Sequence, residues 1–251
     1  MNEPDMPARP THAMSDFDPA SIRALVFDVF GTVVDWRGTI VREGEALSAA
    51  KGLSVDWRGV ADAWRQGYQP AMARAMREEW ANIDTLHRGI LDEIRPRFGL
   101  DELDERDVEH LNLVWHRLAP WPDGIEGLQR LKTRFVISTL SNGNVSLLVD
   151  MAKHAGLPWD CVLSAELFGK YKPDPAVYQG AARLLGVERD ALLMVAAHPS
   201  DLVAAQRAGL RTAYIPRPLE WGPDGHREPV GSARFDVVAA DFVELAAKLG
   251  A

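Results

Sequence analysis

The chain has 251 residues, 47% apolar and 25% charged; these proportions suit a globular protein with a sizeable core and exclude a fibrous or wholly disordered class. A formal net charge of −8, with no concentrated run of Lys and Arg, argues against a nucleic-acid partner. The single cysteine, Cys161, excludes an internal disulfide and suits a reducing cytoplasm, and no apolar run reaches the roughly eighteen residues of a membrane span.

Residues 1–20 are polar, carry four prolines and lack the apolar stretch of a signal peptide, so a disordered leader is expected there. The run IRALVFD, residues 22–28, has the content of a buried strand; it stops at Asp28, and Gly31-Thr32 turn the chain. From 37 to 120 the pattern is helical, charged and tryptophan-rich, clearest in AWRQGYQPAMARAMREEW and IDTLHRGILDEIRPRFG. It predicts a smaller helical domain inserted into the rest, whose Trp and Met residues mostly pack against one another. Beyond 120, the strand-like runs RFVIST (134–139), CVLS (161–164), LLMVAA (192–197), RTAYIP (211–216) and FDVVA (235–239) alternate with helical segments. Gly156, Gly186, Gly209 and Gly250 stand where a helix C-terminus favours a left-handed residue. The alternation predicts an α/β fold with a parallel sheet covered on both faces, formed by residues 21–36 and 121–251 around the insert 37–120. Cys161 reads as a small core residue.

Ligands of open α/β sheets bind outside the carboxyl ends of the strands. Four polar groups fall there: Asp28 with Thr32, Ser141-Asn142, Lys172, and His198 with Asp201. Each alone has a plain local reading as a turn or a helix cap. Together, at successive strand ends, they mark one site.

FDVFGT, LSNG, KPDPAVY and VAAHPSD resemble, in this order, the four motifs of the haloacid dehalogenase superfamily, over roughly residues 22–240. The resemblance implies a Rossmann-like core with an all-helical cap. Phosphatases of that superfamily place an acid two residues after the nucleophile and hold magnesium with paired acids in the last motif. This chain has Phe30 and, in Ala-Ala-His-Pro-Ser-Asp, the single carboxylate Asp201, a poor set for a hard cation. An aromatic in place of the acid suits a leaving group that needs no proton, such as halide. The chain is thus similar to the L-2-haloacid dehalogenases, which displace halide from C2 of a short 2-haloacid by an aspartate and then hydrolyse the ester.

That resemblance implies roles residue by residue. Asp28 matches the nucleophile, Thr32 the residue that orients it, and Lys172 the cation beside it, which keeps the carboxylate ionised. Ser141 and Asn142 match the motif that receives the substrate carboxylate, Tyr178 the tyrosine near the lysine, and Asp201 the acid that activates or positions water. WRQGY, residues 64–68, resembles the stretch bearing the halide-accepting arginine, so Arg65 is the candidate. Where the family has Ser and Asn, this chain has Ala196 and His198. A histidine there either donates to halide or water or fills the asparagine's structural role. Trp221, in RPLEWG (217–222), either lines the pocket or anchors a loop. The resemblance further implies a homodimer acting on a small 2-haloacid and water, and composition and charge add a cytoplasmic setting with no membrane or nucleic-acid partner; neither a metal nor a cofactor is expected. The change at His198 leaves the halide preference open, with fluoroacetate hydrolysis as one hypothesis. The rival readings are a superfamily phosphatase and a non-catalytic binding protein on the same fold.

Overall fold

The structure is a computed structural model that describes residues 17–225 and 228–251. The leader expected over residues 1–20 lies outside the described residues as far as 16. Its last positions are placed: Asp18 caps a single 3-10 turn, Pro19–Ser21, and Phe17 packs against the core.

The first strand, β1 (Ala24–Phe27), is followed by a tight turn and then β2 (Val34–Asp35). Four helices come next: α1 (Trp36–Lys51), α2 (Trp57–Ala75), α3 (Ile83–Ile94) and α4 (Glu105–Asn112). β3 (Ala119–Pro120) returns antiparallel to β2, so the ends of the helical segment are stitched together where it leaves and rejoins the remainder. Then helices and strands alternate as far as β7: α5 (Gly124–Lys132), β4 (Val136–Ser141), α6 (Val145–Ala155), β5 (Cys161–Ser164), α7 (Pro175–Leu185), β6 (Leu192–Ala196), α8 (Pro199–Arg207) and β7 (Arg211–Tyr214), after which β8 (Val237–Val238) and α9 (Phe242–Leu249) follow.

The principal sheet runs β5-β4-β1-β6-β7-β8, every pair parallel. Helices cover both faces, which is why β1 and β6 are apolar at every position and wholly buried. The strand order reverses at β1, between β4 and β6, and a crevice opens at the carboxyl edge beside it. This is the covered parallel sheet expected from the alternation, and the Rossmann-like core that the resemblance implies.

The helical segment departs in detail from its sequence pattern. AWRQGYQPAMARAMREEW reads as helical through Trp80, but α2 starts earlier, at Trp57, and ends at Ala75. Asp56 starts it by accepting from the Gly59 amide at 3.0 Å. Beyond Ala75 the chain leaves the helix, and Trp80 stacks on Tyr171 with ring centres 6.2 Å apart. A contact across the fold decides that end, which local periodicity does not carry. Among the described residues no helix is long and apolar enough to cross a membrane.

Candidate active site

Asp28 follows β1 directly, and its amide still extends the ladder by donating to Val195 O at 3.0 Å. The backbone there is fixed by the sheet, so the carboxylate is aimed by the scaffold. Two residues later Phe30 turns towards the helical segment, and Gly31, at φ +84°, bends the chain in a way that L side chains rarely allow. The turn brings Thr32 back over Asp28, where its hydroxyl donates to Oδ2 at 2.7 Å while accepting from the Ala197 amide at 2.9 Å.

Lys172 Nζ reaches Asp28 Oδ1 at 2.9 Å and Asp201 Oδ2 at 2.5 Å. The Tyr178 hydroxyl donates to the other Asp201 oxygen, also at 2.5 Å. Asp201 is therefore engaged on both oxygens, and its carboxylate anchors Lys172. Asn142 fixes the lysine from the main chain, accepting from the Lys172 amide at 2.7 Å. Burial alone would lower the Lys172 ammonium and raise the Asp28 carboxyl. The ion pairs outweigh burial: Asp201 and Asp28 push Lys172 up, while Lys172, His198 and Thr32 hold Asp28 well below the usual carboxylate range. Burial and the Asp201 charge push Tyr178 up, so it remains a phenol.

His198 stands on the opposite side of the nucleophile, Nδ1 3.0 Å from Asp28 Oδ2. Its Nε2 lies 3.1 Å from both oxygens of Glu220, which also accepts from Trp36 Nε1 at 3.0 Å. Burial pulls the imidazole down, but the Glu220 and Asp28 carboxylates overcome this and lift it to about 10. At neutral pH it is an imidazolium. Glu220 is the residue that sequence reasoning missed. RPLEWG was noted for its tryptophan, and nothing local in that loop says that the neighbouring acid reaches a histidine at the end of β6.

The helical segment closes the other side. The Arg65 guanidinium carbon sits 4.6 Å from the centre of the Tyr68 ring, and its Nη1 is buried with no hydrogen-bond partner. Phe30 packs edge-on against Trp115, His87 and Tyr68, with ring centres 5.5, 6.2 and 6.3 Å away. Between these walls lies a cavity of about 320 Å³ lined by Asp28, Phe30, Arg65, Asn142, Lys172 and Asp201, among others. Tyr178 and His198 also line it. Ser141 does not: it is fully buried behind the site, its hydroxyl accepting from the Gly143 amide at 3.1 Å. Trp221 does not either. It packs edge-on against Trp36, ring centres 5.0 Å apart, and lines a neighbouring cavity of about 600 Å³ that His198 and Glu220 share.

The arrangement offers an ionised carboxylate flanked by the paired cations Lys172 and His198 and faced by the Arg65 guanidinium, whose Nη1 has no partner, a setting for an anionic substrate. A divalent cation fits it poorly. Both Asp28 oxygens already face donors, two of them cationic, and among the described residues no group of three or more His, Cys, Asp or Glu side chains is placed to hold a metal.

Comparison with known proteins agrees with this geometry. The haloacid dehalogenase-like hydrolase family matches residues 22–209. An (S)-2-haloacid dehalogenase of Burkholderia cepacia is 30% identical over 90% of this chain and 99% of its own length. The crystal structure of an L-2-haloacid dehalogenase superposes with a TM-score of 0.88 at 44% identity, covering 91% of this chain and 99% of the other. That of a defluorinating L-2-haloacid dehalogenase does so at 0.87 and 42%, covering 92% and 96%.

Proposed function

The chain belongs to the L-2-haloacid dehalogenases of the haloacid dehalogenase-like hydrolases, an enzyme that hydrolyses carbon–halide bonds by an aspartate-based mechanism, and from that premise we propose that it converts haloacetates and short 2-halopropionates, fluoroacetate included, to 2-hydroxyacids through an ester on Asp28. The observation that carries this reading is the buried carboxylate itself: ionised, held by Lys172 and Thr32, and facing Arg65 across a cavity of small-molecule size.

In the first step Asp28 attacks C2 from the side opposite the halogen, forming a C–O bond as the C–X bond breaks. Nucleophilic catalysis divides one hard displacement into two easier ones. Lys172, His198 and Arg65 offset the repulsion between an anionic substrate and an anionic nucleophile. Charge gathers on the halogen only as its bond to carbon breaks, so the unpartnered Nη1 of Arg65 helps most in the transition state. Phe30 and Tyr68 give the leaving group a dry wall, and halide needs no acid there. In the second step water opens the ester, releasing the 2-hydroxyacid with inversion at C2.

Fluoroacetate is included because fluoride, the poorest leaving halide, gains most from charged hydrogen-bond donors, and Arg65 holds an unpartnered Nη1 in this site. A defluorinating enzyme among the similar structures supports the same choice. The proposal extends to a metal-independent reaction in a cytoplasmic homodimer. A phosphatase is disfavoured because Phe30 removes the acid that an alkoxide leaving group needs.

Halide release from chloroacetate, fluoroacetate and both 2-chloropropionate enantiomers, with and without a chelator, tests the reading. Release of fluoride and chloride, unaffected by chelation and reduced at least 10³-fold in Asp28→Asn, is the expected result. Full activity in Asp28→Asn, or turnover only of phosphate esters with added magnesium, would contradict it.

A further inference from the structure

Resting on that reading, the environment of His198 points to a division of labour in the second half-reaction. Water attacking a carboxylic ester needs a base. Asp201 is poorly placed to be one, because Lys172 and Tyr178 occupy both its oxygens. His198 has the better geometry. Nδ1 sits 3.0 Å from Asp28 Oδ2, so once esterification releases that contact, a water taken up by the nitrogen is a neighbour of Asp28 Cγ. Nε2 is clamped by Glu220, itself held by the Trp36 indole. The imidazole lines both cavities, the one that would hold substrate and the larger neighbouring one, so water can reach it from the larger one. Gly31 completes the arrangement: a Cβ there would come within 2.2 Å of Glu220 Oε1, so the carboxylate reaches His198 only because position 31 carries no side chain.

We propose that His198, oriented by Glu220, is the general base of ester hydrolysis and that esterification of Asp28 is what frees it to act.

In the resting site the imidazolium lies between two carboxylates and cannot accept a proton. Forming the ester removes one of those charges at a distance of 3.0 Å, leaving Glu220 against the nearby cations Lys172 and Arg65. Asp201 remains paired with Lys172, and Glu228 faces the cavity from its outer loop. The imidazole then gives its Nδ1 proton to solvent, which is the one proton that the overall reaction releases with the halide. Water adds to Asp28 Cγ and passes a proton to Nδ1. The tetrahedral adduct collapses, its ester C–O bond breaks, and the departing alkoxide takes the proton of the new Cγ hydroxyl. Product, carboxylate and imidazolium are restored. His198 is a catalytic residue in this scheme and Glu220 a positioning residue.

The test separates the two half-reactions by rapid quench with chloroacetate, following halide and the mass of the Asp28 peptide. His198→Ala is expected to release about one halide per site and then stall as the alkyl-enzyme, hydrolysis falling roughly 10²-fold or more. Glu220→Gln is expected to slow hydrolysis too, with its acid limb moved to lower pH, because the base has lost the carboxylate that raises its affinity for a proton. A purely structural glutamate would not move that limb. Should His198→Ala fail to fold, Glu220→Gln decides alone. Hydrolysis at the wild-type rate in both variants, or an unmoved limb in Glu220→Gln, would overturn the proposal and leave the nucleophile untouched. Halide release with no adduct on Asp28 would instead remove the function on which it rests.

Discussion

Gly31→Ala sets two costs together. The residue sits at φ +84°, where an L side chain loses about 1–2 kcal/mol, and its Cβ would displace the Glu220 carboxylate. The variant is expected to lose about that much stability in a denaturant melt and, in an NMR titration of the histidine ring, to show His198 falling from about 10 towards its ordinary 6.5. An unchanged titration would show that Glu220 adapts without loosening its hold. Asp28, Phe30, Thr32 and Lys172 were legible in the sequence because each belongs to a short motif whose spacing is local. Glu220 was not, since its meaning lies in a histidine from another strand end, and neither residue announces the pairing. Ser141 and Trp221 were singled out by position in their motifs. The backbone sets one behind the pocket and the other beside it.

At the scale of elements, the helical segment is joined to the sheet by a second polar cluster away from the catalytic carboxylate. Asp84, in the first turn of α3, accepts from Asn144, the N-cap of α6, at 2.8 Å, and lies 3.0 Å from His116 Nε2. The other ring nitrogen of His116 is 2.9 Å from Asp150 on α6. Burial would lower His116, but Asp84 and Asp150 outweigh it and raise the imidazole. A group raised on folding stabilises fully below its unfolded value of about 6.5 and loses that contribution as pH climbs through the folded value. Asp84→Ala should therefore destabilise by about 1–3 kcal/mol near pH 6 and by less at pH 9, measured by urea melts at both. Equal losses at the two pH values would show that the histidine's charge plays no part. β1 and β6 matched their sequence runs because burial on both faces of a parallel sheet leaves an uninterrupted apolar signature, whereas β4, with its Ser and Thr, lies two residues beyond the run read at 134–139. The end of α2 did not, because the stacking of Trp80 on Tyr171 is a contact between distant segments.

Over the whole molecule, the chemistry depends on where the strand order reverses. β1 lies between β4 and β6, so Asp28 meets side chains following β6 directly, and Lys172 reaches it from the loop before α7, while α2 brings Arg65 over the top. A chain with a net charge of −8 thus keeps Lys172, His198 and Arg65 at the one crevice where an anionic substrate must approach an anionic nucleophile. That the site lies at the carboxyl edge was readable from the order of four motifs along the chain; which side chains close over it depends on the path of the helical segment. The central claim is that Asp28 carries the substrate as an ester and that water attacks the aspartate side of it. A single turnover of (S)-2-chloropropionate in heavy-oxygen water, analysed by mass spectrometry of both protein and product, tests it most directly. The account predicts the heavy oxygen in the Asp28 carboxylate and none in the hydroxyl of the lactate formed. Label in the lactate hydroxyl, with Asp28 unlabelled, would mean that water displaces the halide directly and would contradict it.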